Sequence, residues 1–179
     1  IYLISRNNEP DYLPSVMNDG RVIYTRWEYT DKPLWRAQGL WTVNPDGTQV
    51  NTFWGNQSVW PDLLKDARSI PGSRKIVTVG EAHCDALVGP VLVLDTRRTR
   101  RSAKAMTNIT PEIALPGMMP HRSSKRYGHF KEPYPLSEKL FLVSHDTHVD
   151  PKHGPYGLYV LDAWGNRALL HAEEDISCY

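Results

Sequence analysis

Short apolar runs separated by polar stretches recur along the chain, and the same order of residue types returns three times. In the first copy Arg21-Val22-Ile23-Tyr24-Thr25 leads through a polar loop to Gly39-Leu40-Trp41-Thr42-Val43-Asn44, then to Pro45-Asp46-Gly47-Thr48. In the second, Lys75-Ile76-Val77-Thr78-Val79 leads to Gly89-Pro90-Val91-Leu92-Val93-Leu94-Asp95. In the third, Lys139-Leu140-Phe141-Leu142-Val143-Ser144 leads to Gly157-Leu158-Tyr159-Val160-Leu161-Asp162, with Gly165-Asn166 after it. Each copy closes on a further β-prone run: Val50–Trp54, Ala105–Thr107 and Arg167–His171. Branched and aromatic side chains suit a pleated, packed surface, so these runs predict strands. Asp46-Gly47 and Gly165-Asn166 supply the positive φ of a tight hairpin. Ile1-Tyr2-Leu3-Ile4-Ser5 reads as an opening strand.

Internal repeats of ~40–50 residues made of short strands point to sheets repeated around an axis, because one four-stranded unit buries its faces only against its neighbours. The equivalent glycines lie 50 and then 68 residues apart, so the second step holds an insertion. Any one segment alone would also suit an antiparallel sandwich; the threefold agreement argues for the repeat. The expected fold is all-β: about three consecutive four-stranded blades of a larger β-propeller. Its parts are a blade end at 1–8, blades at about 9–56, 57–110 and 129–175, and an irregular insertion at 111–128. Propellers close with ~4–8 blades, so the expected setting is a longer protein that supplies the remaining blades and neighbouring domains or subunits.

Composition narrows the function classes. The formal net charge is +1, which offers no global attraction for nucleic acid or an anionic surface. Arg97, Arg98, Arg100, Arg101 and Lys104 form a basic cluster without interleaved aromatics, which reads as an exposed hairpin. No apolar run approaches the ~20 residues needed to span a bilayer as a helix. The two cysteines, Cys84 and Cys178, match no CxxC or CxxCH pattern, and they would form a disulfide only if their loops met.

Alternating strand direction places the loops between second and third strands on the same side as the loops between blades. Those segments are Arg26–Lys32, Gly80–Asp85 and His145–His153 with Asn8–Tyr12, Ser58–Asp62 and His129–Tyr134, and they gather most of the seven histidines. Imidazole, thiolate and carboxylate are the usual ligands of transition metals such as zinc. The metal candidates are therefore His83, Cys84, Asp85, His145, Asp146, His148 and Asp150, each of which also serves simple loop hydrogen bonding. Trp27, Glu28, Tyr29, Trp60 and His129 are the candidates for a ligand-binding face, where aromatic rings offer rigid contact area. Glu9-Pro10 and Glu132-Pro133 appear as corresponding blade junctions. No Ser/His/Asp order, phosphate loop or paired carboxylate motif argues for hydrolysis.

The run Asn18-Asp19-Gly20-Arg21-Val22-Ile23-Tyr24-Thr25, with Leu40–Thr48, resembles the Asp-Gly-containing repeat of TolB-type, WD-like propellers. More narrowly, Tyr24–Asp31 through Asn44–Thr48, with Tyr156–Asp162 and Ile176-Ser177-Cys178, is similar to the propeller domain of the hydrazine synthase alpha-subunit family. That resemblance implies an exported, periplasmic-type, multidomain bacterial protein. In hydrazine synthase the chemistry is a haem-dependent condensation of nitric oxide with ammonia. Without Cys-x-x-Cys-His in this sequence, haem c would be attached elsewhere in the parent protein. Two functions follow as expectations. One is a scaffold or binding module that is not catalytic on its own. The other is one wall of a haem- or metal-dependent redox site.

Overall fold

The computed structural model describes residues 2–28, 37–55, 58, 60–81, 89–113, 129–147 and 154–179. Among them are twelve strands in two sheets, a single 3-10 turn at Ala103–Ala105 and no α-helix. Strands β1 (Asp11–Val16), β2 (Val22–Trp27), β3 (Gln38–Val43) and β4 (Asn51–Trp54) pair antiparallel in chain order. So do β5 (Leu63–Ser69), β6 (Ile76–Glu81), β7 (Val91–Leu94) and β8 (Met106–Asn108). A parallel pairing of Gln38 with Leu63 links these two meanders into one sheet. The second sheet holds β9 (His129–Pro135), β10 (Leu140–Asp146), β11 (Gly157–Asp162) and β12 (Arg167–His171). Neither sheet closes on itself.

Two apolar cores separate the three meanders. Ile23, Leu40, Trp54, Leu64, Ile76 and Leu92 fill the first, and Val77, Val91, Phe130, Phe141, Val143 and Leu161 fill the second. Neighbouring residues of the middle meander go to opposite cores: Ile76 and Leu92 to one, Val77 and Val91 to the other. Side chains alternate across a strand, so a strand buried on both faces must be apolar without interruption. That is why the Lys75–Val79 and Val91–Leu94 runs contain so few polar residues. In the last meander an apolar core covers only one face, although Ser144 and Asp146 on the other face are buried at the rim end. Phe141, Val143 and Leu161 point into the second core, whereas Leu142, Val160 and Ala168 form a cross-strand row that belongs to neither core.

The repeated glycines have a packing reason. A Cβ on Gly39 would lie 2.9 Å from the Trp54 carbonyl oxygen, and one on Gly89 would lie 2.0 Å from the Gly80 carbonyl oxygen. Both positions therefore exclude a side chain where two backbones touch.

The first strands were the least legible elements. β1, β5 and β9 lie side by side, and each breaks its pairing at the same point. The register shifts between Tyr12 and Ser15, between Lys65 and Arg68, and across the stretch from Lys131 to Tyr134. Leu13, Asp66 and Glu132 hold these bulges with φ of 52°, 53° and 47°. An L residue in that region is uncommon, and a bulge at one position in every first strand re-aims its side chains in the same way. Hydroxyl groups of the first meander cover carbonyls along the second: Thr25 Oγ1 donates to Leu64 O at 2.7 Å and Ser15 Oγ to Ala67 O at 2.5 Å. The Glu132 amide donates to Asp66 Oδ2 across the next seam.

Several sequence expectations are corrected here. Residues 2–5 are not a strand; Tyr2 and Leu3 are 69% and 74% exposed, so no buried side chain holds this stretch in a ladder. His129–Tyr134 is not a junction loop but lies in β9, and Asp11 and Tyr12 belong to β1. Arg26, Trp27, Gly80, Glu81, His145 and Asp146 are strand residues, because the ladders run further than apolarity alone indicated. Glu132-Pro133 corresponds to Leu13-Pro14, within the bulge, and not to Glu9-Pro10. Residues 114–128 of the expected insertion lie outside the described residues.

Candidate functional site: a polar rim around a buried glutamate

The strand registers carry one end of every meander to a common rim. Asp11 opposes Arg26, Trp27 opposes Gln38, Gln38 lies beside Leu63, and Leu63 opposes Glu81. Gly89 bridges Phe130, and His129 opposes Asp146. Polar side chains at these ends are buried to an unusual degree: Gln38, Asp62, Glu81, His129, His145 and Asp146 are all under 9% exposed.

Glu81 is the centre of the rim. It is fully buried, and neither carboxyl oxygen has a hydrogen-bond partner among the described residues. Lys65 Nζ sits 3.5 Å from Oε1 and 3.2 Å from Asp66 Oδ2, so one ammonium is shared between two carboxyl groups. Burial pushes the Glu81 carboxyl up to about 8, against the opposing pull of Lys65. The group therefore holds its proton at neutral pH and is an O–H donor as well as an acceptor. Tyr12 donates its hydroxyl to Gln38 Oε1, and burial, reinforced by Glu81, raises the Tyr12 phenol far above its ordinary range. Lys131 reaches towards Glu81 from β9, with its Nζ 4.6 Å from the Tyr156 ring centre and 5.6 Å from that of Tyr179. The terminal segment folds back to the same place: Cys178 N donates to Tyr156 O, and Tyr156 N to Ser177 Oγ.

Tyr12, Lys65 and Lys131 each immediately precede a bulge residue, so they occupy the same position in their strands; Lys65 contacts Glu81, while Tyr12 and Lys131 act on this region through their charge or its neighbours. Reading by apolar runs passed over them. Aligning the polar first strands on Tyr12-Leu13, Lys65-Asp66 and Lys131-Glu132 would have grouped them.

Beside this layer Arg26 is clamped by Asp11 through two bonds of 2.8 Å. Its guanidinium lies over the Trp41 and Tyr24 rings, 4.7 and 5.4 Å from their centres. Planar stacking plus a forked carboxylate is geometry an ammonium does not reproduce. On the other flank His145 stacks on Phe130 at 4.1 Å and meets Tyr159 edge-on. Its Nδ1 lies 3.0 Å from the His129 carbonyl oxygen and donates to it, while Nε2 has no partner among the described residues. Burial lowers its basicity, so the ring is neutral.

The sequence candidates are placed unevenly. Trp27 ends β2 and accepts a hydrogen bond from Asn7 on its carbonyl; Glu28 continues the ladder through its amide to Ala37 O. Trp60 is half-buried, its carbonyl bonded by Ser58 Oγ. His129 is buried at the start of β9. His145 and Asp146, adjacent in β10, point to opposite sides of the sheet, so they do not share a site. Tyr29, His83, Cys84, Asp85, His148 and Asp150 lie outside the described residues. Cys178 is a free thiol. Among the described residues no three His, Cys, Asp or Glu side chains gather as a metal-binding group. No helix among them is long and apolar enough to cross a membrane.

The fold defines the class as all-β, built from antiparallel four-stranded meanders packed face to face. In fold the chain is similar to the solved structure of Kuenenia stuttgartiensis hydrazine synthase, with a TM-score of 0.66 and 20% identity over 88% of this chain. It spans 19% of that protein's chain, and at this identity the likeness is one of fold. No protein-family model matches the sequence, and no curated protein does.

Proposed function

We propose that this chain forms three adjacent blades of a larger β-propeller and serves there as a scaffold and binding module, with the Glu81 rim as its binding face. The observation that carries the reading is the threefold bulge in β1, β5 and β9, which sets Tyr12, Lys65 and Lys131 at equivalent positions, with Lys65 against the buried Glu81 carboxyl. Equal meanders in series and the apolar row of the last sheet that belongs to neither core support the propeller arrangement, as does the fold likeness. The rim binds by shape and hydrogen bonding: a protonated Glu81, Lys131 between two tyrosine rings, and Trp27 and Trp60 nearby. The sequence resemblance carries the proposed setting, an exported multidomain bacterial protein.

The experiment is visible absorption and metal analysis of the purified longer protein, with His83→Ala and His148→Ala alongside. A scaffold shows no Soret band and no stoichiometric metal assigned to this segment. Haem or metal content that falls in either variant would replace this reading with the redox-wall alternative.

A further inference from the structure

At the opposite end of the sheets from Glu81, a cleft of about 620 Å³ opens between the first and second meanders. Its walls are the β1–β2, β5–β6 and β7–β8 turns and the strand β4. Four arginines line it: Arg21, Arg74, Arg97 and Arg100. Asp19 holds Arg21 at 2.7 Å, and Asp95 holds Arg97 at 2.5 Å. Arg74 and Arg100 have no acidic partner among the described residues, so the lining carries two uncompensated positive charges. The nearby Glu138 carboxylate does not supply the balance, since Ser73 and Lys75 already bind it.

The neutral groups point the same way. Thr52, Ser69 and Thr96 line the cleft half-buried, and their hydroxyls have no protein partner among the described residues. The walls are tied together: Asn18 Nδ2 donates to Ile70 O at 2.8 Å and to Ser73 O at 3.2 Å, and the Gly55 amide donates to Arg100 O at 3.1 Å. A cleft held open in this way loses little on ligand ordering. Its volume falls in the range of ~300–1,000 Å³ typical of small-molecule sites, far more than one inorganic anion fills.

We propose that this cleft binds a small organic polyanion carrying two or more phosphate or sulfate groups, with Arg74 and Arg100 taking the charged groups and the free hydroxyls the body of the ligand. The reading of Arg97–Lys104 as a plain exposed hairpin is thereby revised. Two of its arginines join Arg21 and Arg74 from sequence-distant turns, which no local run of charge reveals. Arg98 and Arg101 are not part of the lining.

Titration calorimetry on the purified chain tests this with three probes: inositol hexakisphosphate, a sulfated heparin disaccharide, and inorganic phosphate. The expected result is one-to-one binding of an organic polyanion, weakened about tenfold by Arg74→Gln and by Arg100→Gln, and little changed by Arg98→Gln or Arg101→Gln. All four arginines are exposed, so the variants should keep the parent's unfolding midpoint, which the same samples check. Preference for the inositol phosphate identifies the ligand as an organic phosphate; preference for the disaccharide identifies it as a sulfated sugar. Equal weakening by all four substitutions, binding of inorganic phosphate as tight as the polyanions, or no binding at millimolar concentration would each overturn the proposal.

Discussion

Replacing Glu81 by Gln should stabilise the protein, and by more as pH rises. The folded-state carboxyl holds its proton up to about 8, whereas its ordinary value is 4.5. Between these values the unfolded chain has lost a proton that the folded chain keeps, so raising pH favours unfolding, and the loss is complete above the higher value. At about 1.4 kcal/mol per unit the contribution is on the order of a few kcal/mol. His145 has the opposite sign. Its neutral form is favoured by burial, so stability falls as pH drops below its ordinary value of 6.5. The two slopes oppose each other just below 6.5, which leaves 6.5 to 8 as the window where Glu81 acts alone. Urea midpoints there should decline for the parent protein and stay level for Glu81→Gln; parallel declines would show that Glu81 is ionised in the fold.

At the level of elements, the close backbone contacts and the bulges make opposite demands on substitution. Gly89→Ala places a methyl group 2.0 Å from the Gly80 carbonyl oxygen, so β7 must move off β6. The loss should reach ~3 kcal/mol or more, within the range for overpacked sites. Circular dichroism melting of that variant is the check, and an unchanged midpoint would remove the packing explanation for the repeated glycines. Leu13 is the converse case, an exposed leucine with φ of 52°. A left-handed backbone costs an L residue roughly 1–2 kcal/mol, which glycine avoids. Leu13→Gly should therefore match or exceed the parent in denaturant midpoint, while the β-branched Leu13→Ile should fall below it. The reverse order would mean that Leu13 packs against something on the rim side of β1.

For the whole molecule, the unequal covering of the sheets decides where charge is tolerated. The middle meander has a core on each face, and truncating a phenylalanine packed against it from the last meander, such as Phe141, would cost ~3–5 kcal/mol. The far face of β10–β12 touches neither core. Leu142→Lys and Val160→Lys should thus leave the unfolding midpoint of this chain within ~0.5 kcal/mol of the parent. In a longer protein whose next blade covers that face, the same lysines would be buried without partners and should lower the midpoint strongly. Comparing the two contexts tests the propeller arrangement directly, because indifference in both would mean that nothing packs on this face.

The sequence by itself determined the all-β class and the second, third and fourth strands of each meander. Packing on one or both faces forces those strands to be apolar in runs, and runs such as Val91–Leu94 are visible locally. The first strands escaped because Asp11, Lys65, Asp66, Lys131, Glu132 and three prolines interrupt them, and their ladders break at a bulge that only pairing partners reveal. That His129 and His145 fall at the same end of their sheet was legible, since it follows from strand direction alone. Which side chains meet there was decided by the tertiary structure. Glu81 became a buried acid because three separate first strands bend at one level, and four arginines became a cleft because turns far apart in the chain lie across one seam. Burial and charge balance depend on neighbours distant in sequence, and no local pattern records them.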